Sequence, residues 1–333
     1  MTALRILRAD GVLSVQDMGR PGHIAQGLSR GGGADRMAVI EAAALLRAPS
    51  PLAGVEMAGA GGRFAVTQPM RVALTGAPMV AMLDGQPVAW HACHLIQPGQ
   101  VLTIGAALGG VYGYLTPAGG ITTPEWLGSR AAHLSIGIGA ALTGGDLPCA
   151  PDPAPDDPPR IIDPALRFGG GRLRMTCGPQ TDLFTPDTRT AFHNATFART
   201  RGNRQGITLH HADRFTTDRA AGLASDVIGP GDVQMTGDGV PVVLLAECQT
   251  IGGYPRIGTV IPDDLPRAAQ APVGAELRLT LITLEEADAL HRTDAQLLRD
   301  AGGRCRPLIR DPRDIPNLLS YQFISGAVRG DET

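Results

Sequence analysis

Arg71-Val72-Ala73-Leu74-Thr75-Gly76-Ala77-Pro78-Met79-Val80-Ala81-Met82-Leu83-Asp84-Gly85-Gln86-Pro87-Val88-Ala89-Trp90 is a run of short apolar segments broken by turn residues. Residues 71–75 predict one strand and 80–83 a second, with Asp84-Gly85 turning the chain into a third at 88–90. Working outward, residues 101–104, 111–115 and 173–175 read the same way. So do 233–235, the Gly237-Asp238-Gly239 turn, 242–246 and 277–281. Helical periodicity is confined to two places. Residues 35–47 place Met37, Ile40, Ala44 and Leu45 on one face, with Asp35 as cap and Pro49 beyond the end. Residues 284–300 form a second, more charged candidate. Many short strands joined by Gly/Pro turns predict a mainly β chain of closed or sandwich-like architecture.

The segment Pro148-Cys149-Ala150-Pro151-Asp152-Pro153-Ala154-Pro155-Asp156-Asp157-Pro158-Pro159 reads as a linker, because repeated proline removes ladder donors and extends the backbone. It divides the chain into 1–147 and 160–288, with a helical or irregular tail at 289–333. Each half has an Asp-Gly turn followed by apolar strands. Each also has a turn leading into a strand, Pro98-Gly99-Gln100-Val101-Leu102 in one and Pro272-Val273-Gly274-Ala275-Glu276-Leu277 in the other. Two similar β domains are expected, followed by a polar, proline-broken end that reads as an arm or partner contact.

Composition removes several function classes. The net charge of −3 and the absence of a basic stripe argue against nucleic acid. Every basic side chain apart from histidine is arginine, for the chain has no lysine. That excludes a Walker-type phosphate loop, a Schiff-base lysine, a Ser-Lys dyad and covalently attached biotin. Residues 1–8 carry charges within a short apolar stretch, unlike a secretory signal, and no apolar run approaches the ~20 residues of a membrane span. Five scattered cysteines predict a reducing, cytoplasmic setting.

Two segments rich in glycine, arginine and amide side chains have the composition of a ligand site. The first runs from Val15-Gln16-Asp17-Met18-Gly19-Arg20-Pro21-Gly22 through Gly27-Leu28-Ser29-Arg30-Gly31-Gly32-Gly33-Ala34-Asp35-Arg36. The second is Gln249-Thr250-Ile251-Gly252-Gly253-Tyr254-Pro255-Arg256. Glycine exposes backbone N–H groups and permits left-handed turns, which suits a small polar or anionic ligand. Arg20, Arg30 and Arg36 can grip a carboxylate or phosphate, and Gln16 offers both a donor and an acceptor. The competing reading is a loop in which Asp17 and Asp35 neutralise these arginines internally. Tyr254 either stacks on a flat ligand or closes a barrel.

Other motifs carry less. Gly27-Leu28-Ser29-Arg30-Gly31 matches the Gly-x-Ser-x-Gly pattern, but the strand before and the helix after that a nucleophile elbow requires are missing. Ser29 reads instead as a loop serine. His91-Ala92-Cys93-His94 and His210-His211 lack a second ligand cluster, so no metal site is expected. Cys248 reads as a packed thiol.

From about residue 3 to 288 the chain resembles a family known variously as the C-type component of 5-oxoprolinase, allophanate hydrolase subunit 2, or biotin-dependent carboxyltransferase-like proteins. The resemblance rests on residues 15–22 and 31–36, Leu74-Thr75-Gly76-Ala77, Gly119-Gly120-Ile121, Leu127-Gly128-Ser129-Arg130, Gly145-Asp146-Leu147-Pro148, Gly178-Pro179-Gln180-Thr181-Asp182 and residues 249–255. It implies two tandem cyclophilin-like β-barrel domains with a few short helices. It also implies a hetero-oligomer with B-type and A-type partner proteins, which opens 5-oxo-L-proline to L-glutamate using ATP with Mg²⁺ at a junction between the chains. Related domains of urea carboxylase transfer a carboxyl group from biotin to urea, and another relative acts on a kinase inhibitor. On this resemblance Asp17, Arg20 and Asp35 are expected to be catalytic. Gln16, Arg30, Gly32, Arg36, Gln180, Asp182, Gln249, Thr250, Gly252, Gly253 and Tyr254 are expected to bind a small amide or lactam substrate or the nucleotide.

The chain departs from the family pattern in three places. Gly202-Asn203-Arg204-Gln205-Gly206 stands where Ser-Asp-Arg-Met-Gly is common, and Ala131-Ala132 replaces a Ser-Thr pair. Glu247-Cys248-Gln249 replaces a commoner Asp/Gly-Arg-Gln. These changes bear on the substrate more than on the fold.

Overall fold

The strand expected at 71–75 is the middle of Met70–Gly76, and every one of its residues is buried. It lies within a seven-stranded sheet in the order Val12–Gln16, Gly54–Ala58, Tyr112–Pro117, Met70–Gly76, Ala92–Ile96, Arg160–Ile162 and Cys305–Pro307. A six-stranded sheet faces it, in the order Gly145–Pro148, Ala3–Ala9, Ala60–Val66, Leu102–Ala107, Met79–Leu83 and Gln86–Pro87. Leu4, Ile6, Phe64 and Ile104 from one sheet meet Leu13, Met57, Val72 and Leu115 from the other in a single core. The computed structural model describes residues 2–220 and 222–309, together with Arg313 and Asn317.

The hairpin at 79–87 differs from expectation beyond its turn. Asp84 and Gly85 both have positive φ, 49° and 80°, the geometry that matches strand twist in a two-residue turn. Residues 88–90 form no strand. The return strand ends at Pro87, which has no N–H to extend the ladder, and the chain crosses to the other sheet at His91.

The second unit is a closed seven-stranded barrel, in the order Gly171–Thr176, Arg256–Val260, Asp232–Met235, Pro241–Leu244, Gly206–His210, Phe197–Gly202 and Glu276–Leu281. Its first and last strands pair in parallel and close it. The architecture is thus mainly β, built from two β units.

The described structure also has five α-helices: α1 (Arg36–Leu46), α2 (Pro186–Asn194), α3 (Leu265–Gln270), α4 (Leu284–Leu290) and α5 (Asp294–Gly303). Asp35 caps α1, accepting from the Ala38 amide at 3.1 Å. The helix expected at 284–300 is two helices. Thr283 with Glu286 and Thr293 with Gln296 each build a capping box, so a second helix starts where one was read.

The proline-rich segment is bound rather than free. Arg71 pairs with Asp152 at 2.8 Å, and both side chains are almost wholly buried. Arg160–Ile162 joins the first sheet, as does Cys305–Pro307, and α5 packs on α1. The end of the described chain therefore belongs to the first unit. Ala34, Val39, Tyr112 and Tyr114 of the first unit share a core with Phe184, Leu279 and Ala269 of the second, so the two units meet over buried apolar surface. No described helix is long and apolar enough to cross a membrane.

Candidate functional site

The first glycine segment folds back on itself. The Arg20 amide donates to the Arg30 carbonyl at 2.8 Å, and the Gly33 amide to the Asp17 carbonyl at 2.9 Å. The two arms touch backbone to backbone. A Cβ at Gly19 would stand 2.5 Å from the Arg30 oxygen, and one at Gly32 would stand 2.6 Å from the Gly19 nitrogen. Both glycines have positive φ, so neither the space nor the conformation admits a side chain. Asp17 pins this fold to the Gly128-Ser129-Arg130 motif. Its carboxylate accepts from the Gly19 amide, the Ser129 hydroxyl at 2.6 Å and the Arg130 amide at 2.7 Å.

A cavity of about 300 Å³ opens where this segment meets the second barrel. Arg20, Arg30 and Arg36 line one side; Ala246, Pro262 and Leu265 line the other. Arg20 is 1% exposed. It donates to the carbonyls of Trp126 and Ala131, yet its Nη1 has no partner among the described residues. Burial pushes its guanidinium below the ordinary value. Arg30 is shifted the same way, by burial and then by the neighbouring charge of Arg36. Arg36 is paired with Asp294, but its Nε is buried and unpartnered among the described residues. Two unmet donors and mutually repelling cations make this cavity complementary to an anion.

The second segment surrounds a different cavity, of about 480 Å³, on the second barrel. Gln249 and Tyr254 stand at its rim, and Gln234, Leu244 and Cys248 lie buried at its floor. Burial pushes the Cys248 thiol up to about 12, so it stays protonated and un-nucleophilic at neutral pH. Ile251–Gly252 forms a short two-stranded pairing with Asp226–Val227, and Gly253 follows it. Thr250 is buried, beside Gly27 of the first segment.

The two segments are neighbours that serve separate cavities. Residues 244–249 form the partition: Leu245 and Ala246 face the junction cavity, while Leu244, Cys248 and Gln249 face the barrel cavity. The Gly31 amide donates to the Ala246 carbonyl at 3.0 Å and joins the first segment to this wall. Glu247 points to neither cavity; it pairs with Arg204 at 2.6 Å. Arg204 also reaches Glu56 and the Gly32 carbonyl, and Glu56 accepts from the Tyr114 hydroxyl and the Ala34 amide. Burial works against the charge of Arg204, but Glu56 and Glu247 outweigh it and raise its pKa. A second buried cluster joins Asp35 and Glu41 to Arg167, at 2.6 and 2.7 Å.

Several expected site residues lie outside both cavities. Asp35 is fully buried, and its carboxylate is occupied by Ala38, Arg167 and Gln270. It therefore caps and pairs rather than meeting ligand. Gln16 is buried, bonded to Ser14 and the Ala132 carbonyl, with its Oε1 unpartnered among the described residues. Gln180 holds Arg256, accepting from its amide at 3.0 Å. Asp182 is exposed and pairs with Arg189. Three of the roughly four acceptor positions of Asp17 are taken by its loop. Asp17 does line the junction cavity, but with Asp35 enclosed it is the one carboxylate there, too few to hold Mg²⁺ alone, and no cluster of metal-ligating side chains occurs among the described residues.

What sequence reading missed are contacts drawn in from afar, with His133 and Glu56 as the unforeseen partners. Ser29 Oγ lies 2.9 Å from His133 Nε2, and His133 Nδ1 lies 3.0 Å from Ser135 Oγ. Burial keeps the His133 pKa low, and Ser29 lines neither cavity. Only the nearby Ser129-Arg130 motif pointed to that loop. Glu56, Arg204 and Glu247 meet across the two units, and no local spacing predicts such a triad.

The model of the carboxyltransferase domain, subdomains A and B, matches residues 26–281. The chain is 33% identical to the C-type component of 5-oxoprolinase from Escherichia coli over 292 residues, covering 85% of this chain and 93% of that protein. Its fold is similar to the crystal structure of TTHA0988, with a TM-score of 0.76 and 28% identity, over 84% of this chain but 56% of that one. The Kluyveromyces lactis urea carboxylase superposes with a TM-score of 0.78 at 20% identity, over 93% of this chain and 31% of that one. The chain thus spans nearly the whole of its curated bacterial relative and about half or less of these solved neighbours. It belongs to the carboxyltransferase subdomain A and B family, in line with its likeness to the C-type component of 5-oxoprolinase.

Proposed function

We infer that this chain is the C-type component of an ATP-dependent complex that opens 5-oxo-L-proline to L-glutamate, acting with B-type and A-type partner proteins. The observation that carries this reading is the junction cavity with its three arginines and the unpartnered Nη1 of Arg20. A phosphorylated lactam needs its phosphate or carboxylate held in such a place. In the reaction, the lactam oxygen takes the γ-phosphoryl group of ATP and ADP leaves. Water then adds to the activated carbon, the C–N bond breaks with a proton going to nitrogen to leave an acyl phosphate, and a second water hydrolyses this to the carboxylate and phosphate. Arg20, Arg30 and Arg36 supply fixed positive charge where negative charge gathers on the phosphoryl oxygens. The glycine arms and Asp17 hold those arginines in register. Among the described residues of this cavity Asp17 is the one carboxylate, and three of its acceptor positions are taken, so most of the ion's ligands would come from the nucleotide and the partner proteins.

The test is reconstitution with the B-type and A-type proteins and measurement of glutamate formed per ATP consumed. Arg20→Gln should lower kcat/KM by about tenfold to a hundredfold, the worth of one charge-assisted hydrogen bond. Full ATP-dependent activity in that variant would remove Arg20 from the site. No ATP turnover on 5-oxoproline by the wild-type assembly would remove the function itself. Biotin-dependent carboxylation of urea by an assembly with a separate carrier would establish a carboxyltransferase instead.

A further inference from the structure

With one exception, the buried arginines of the described chain are paired or face a cavity. Arg71 pairs with Asp152, Arg167 with Asp35 and Glu41, and Arg256 with Asp226 and Asp232, while Arg20 lines the junction cavity. Arg199 is the exception. It is 4% exposed, and among the described residues no carboxylate acts on it. Its Nη1 donates to the Ala271 carbonyl, but its Nε is buried with no partner among the described residues. A guanidinium stays charged inside a protein, so a hydrogen bond to a carbonyl leaves the charge itself unmet.

Phe197 and Arg199 share the buried face of the strand Phe197–Gly202, and the loop after α3 wraps the arginine. The Arg199 amide donates to the Ala275 carbonyl at 2.9 Å, and its carbonyl accepts from the Gly274 amide at 2.7 Å. Tyr112 reaches the same place from the first unit. Gln270, next to Ala271, accepts from the Tyr112 amide at 3.0 Å and donates to its carbonyl at 2.8 Å. The Tyr112 phenol is the one ionisable group of the described chain that acts on Arg199. Burial pushes that phenol up to about 12, so at neutral pH it is an uncharged donor and no counter-ion. Val273, two residues past Ala271, is 73% exposed, so the arginine lies close beneath the surface.

We propose that Arg199 and Tyr112 form a binding site for a small monovalent anion such as chloride or formate, which joins the second barrel to the first unit. Arg199 supplies the charge and its free Nε–H, and Tyr112 supplies a hydroxyl donor. One guanidinium balances one negative charge, so a polyanion such as pyrophosphate suits the three arginines of the junction cavity and not this enclosure. Neither Arg199 nor Tyr112 lines the junction cavity, and the proposal is independent of the oxoprolinase reading.

Calorimetry of the full chain tests this, with chloride raised against gluconate at constant ionic strength. Gluconate is too large for so enclosed a site. Tm should climb with the logarithm of chloride concentration, by about 4 °C at about one hundred times Kd. Arg199→Met should abolish that gain, and Arg20→Gln should keep it. In gluconate alone Arg199→Met should melt no lower than wild type, because an unbalanced buried charge has been removed. An arginine that only braces Ala271 would cost the same in both salts. Tyr112→Phe keeps the ring and should weaken chloride binding about twofold to tenfold, the worth of one hydrogen bond. It also carries the test if Arg199→Met fails to fold. The proposal is overturned by a wild-type gain under about 1 °C, by the whole gain surviving in folded Arg199→Met or unchanged chloride affinity in Tyr112→Phe, or by an equal loss in both salts. A gain lost in Arg20→Gln and kept in Arg199→Met would put the anion in the junction cavity and overturn it too. Each of these results leaves the oxoprolinase reading standing, and a fully active Arg20 variant, which removes Arg20 from that site, leaves this proposal standing.

Discussion

Arg204→Met should destabilise the protein through the contact between its two units. Arg204 sits between Glu56 of the first unit and Glu247 of the second, with both carboxylates about 2–4% exposed, and it also donates to the Gly32 carbonyl. The methionine fills similar space but leaves two buried carboxylates and a carbonyl without their shared donor. Removing one partner of a buried charge cluster costs about 3–5 kcal/mol. For 333 residues the entropy of unfolding is about 0.7 kcal/mol/K, so about 4 kcal/mol lowers Tm by about 6 °C. Differential scanning calorimetry at neutral pH reads this directly. The triple variant Arg204→Met, Glu56→Gln, Glu247→Gln should regain most of the loss, because neutral amides at those positions no longer need a cation. If the single variant melts within about 1 °C of wild type, or the triple variant is no better than the single, the triad does not act as a charge-balanced unit.

Three further outcomes follow from the same geometry. Asp294→Asn frees Arg36 from its ion pair and should tighten pyrophosphate binding in the junction cavity about twofold to fivefold at low salt; isothermal titration that finds weaker binding would contradict the anion reading. Burial, and then the charge of Arg167, hold the His91 pKa down at about 4. The unfolded chain therefore takes up its proton first, and stability present above about pH 6.5 is lost as pH falls toward 4, by up to about 3 kcal/mol. His91→Asn, which tolerates the φ of 55° there, should flatten that acid limb in urea melts at pH 7 and pH 4.5; an unchanged slope would clear His91. Ser29→Ala leaves His133 Nε2 without its partner and should cost about 1–3 kcal/mol of stability while activity in the assembled complex stays within about tenfold. Complete loss of activity with intact assembly would make Ser29 a nucleophile after all.

The β architecture was legible because its signal is local. Alternation and Gly/Pro turns lie within a few residues of each other, as at Asp84-Gly85, and α1 announced itself through Asp35 and its apolar face. The split between α4 and α5 was legible too, since Thr283 and Thr293 each precede a Glu or Gln by three residues, but a charged helical pattern masked it. The arginines of the junction cavity were readable as residue types, yet their roles were not. Arg20 and Arg30 keep their place at the cavity, whereas Asp35 is enclosed by Arg167, 132 positions away. Partners at such separations leave no trace in spacing. The separation of two adjoining glycine segments into two cavities was equally hidden, because it depends on which way successive residues of the 244–249 wall face.

The pairing of Cys305–Pro307 with Arg160–Ile162 makes the second barrel an insertion within the first unit. Synthesis from the N-terminus therefore delivers the complete second barrel before the first unit has its last strand or the support of α5 on α1. The apolar underside of α1, with Ile40 and Leu45 fully buried in the finished protein, waits uncovered along that flank until Leu297 and Ala301 arrive. A chain that stops before α5 carries every residue of both cavities and still lacks the piece that closes the fold around them.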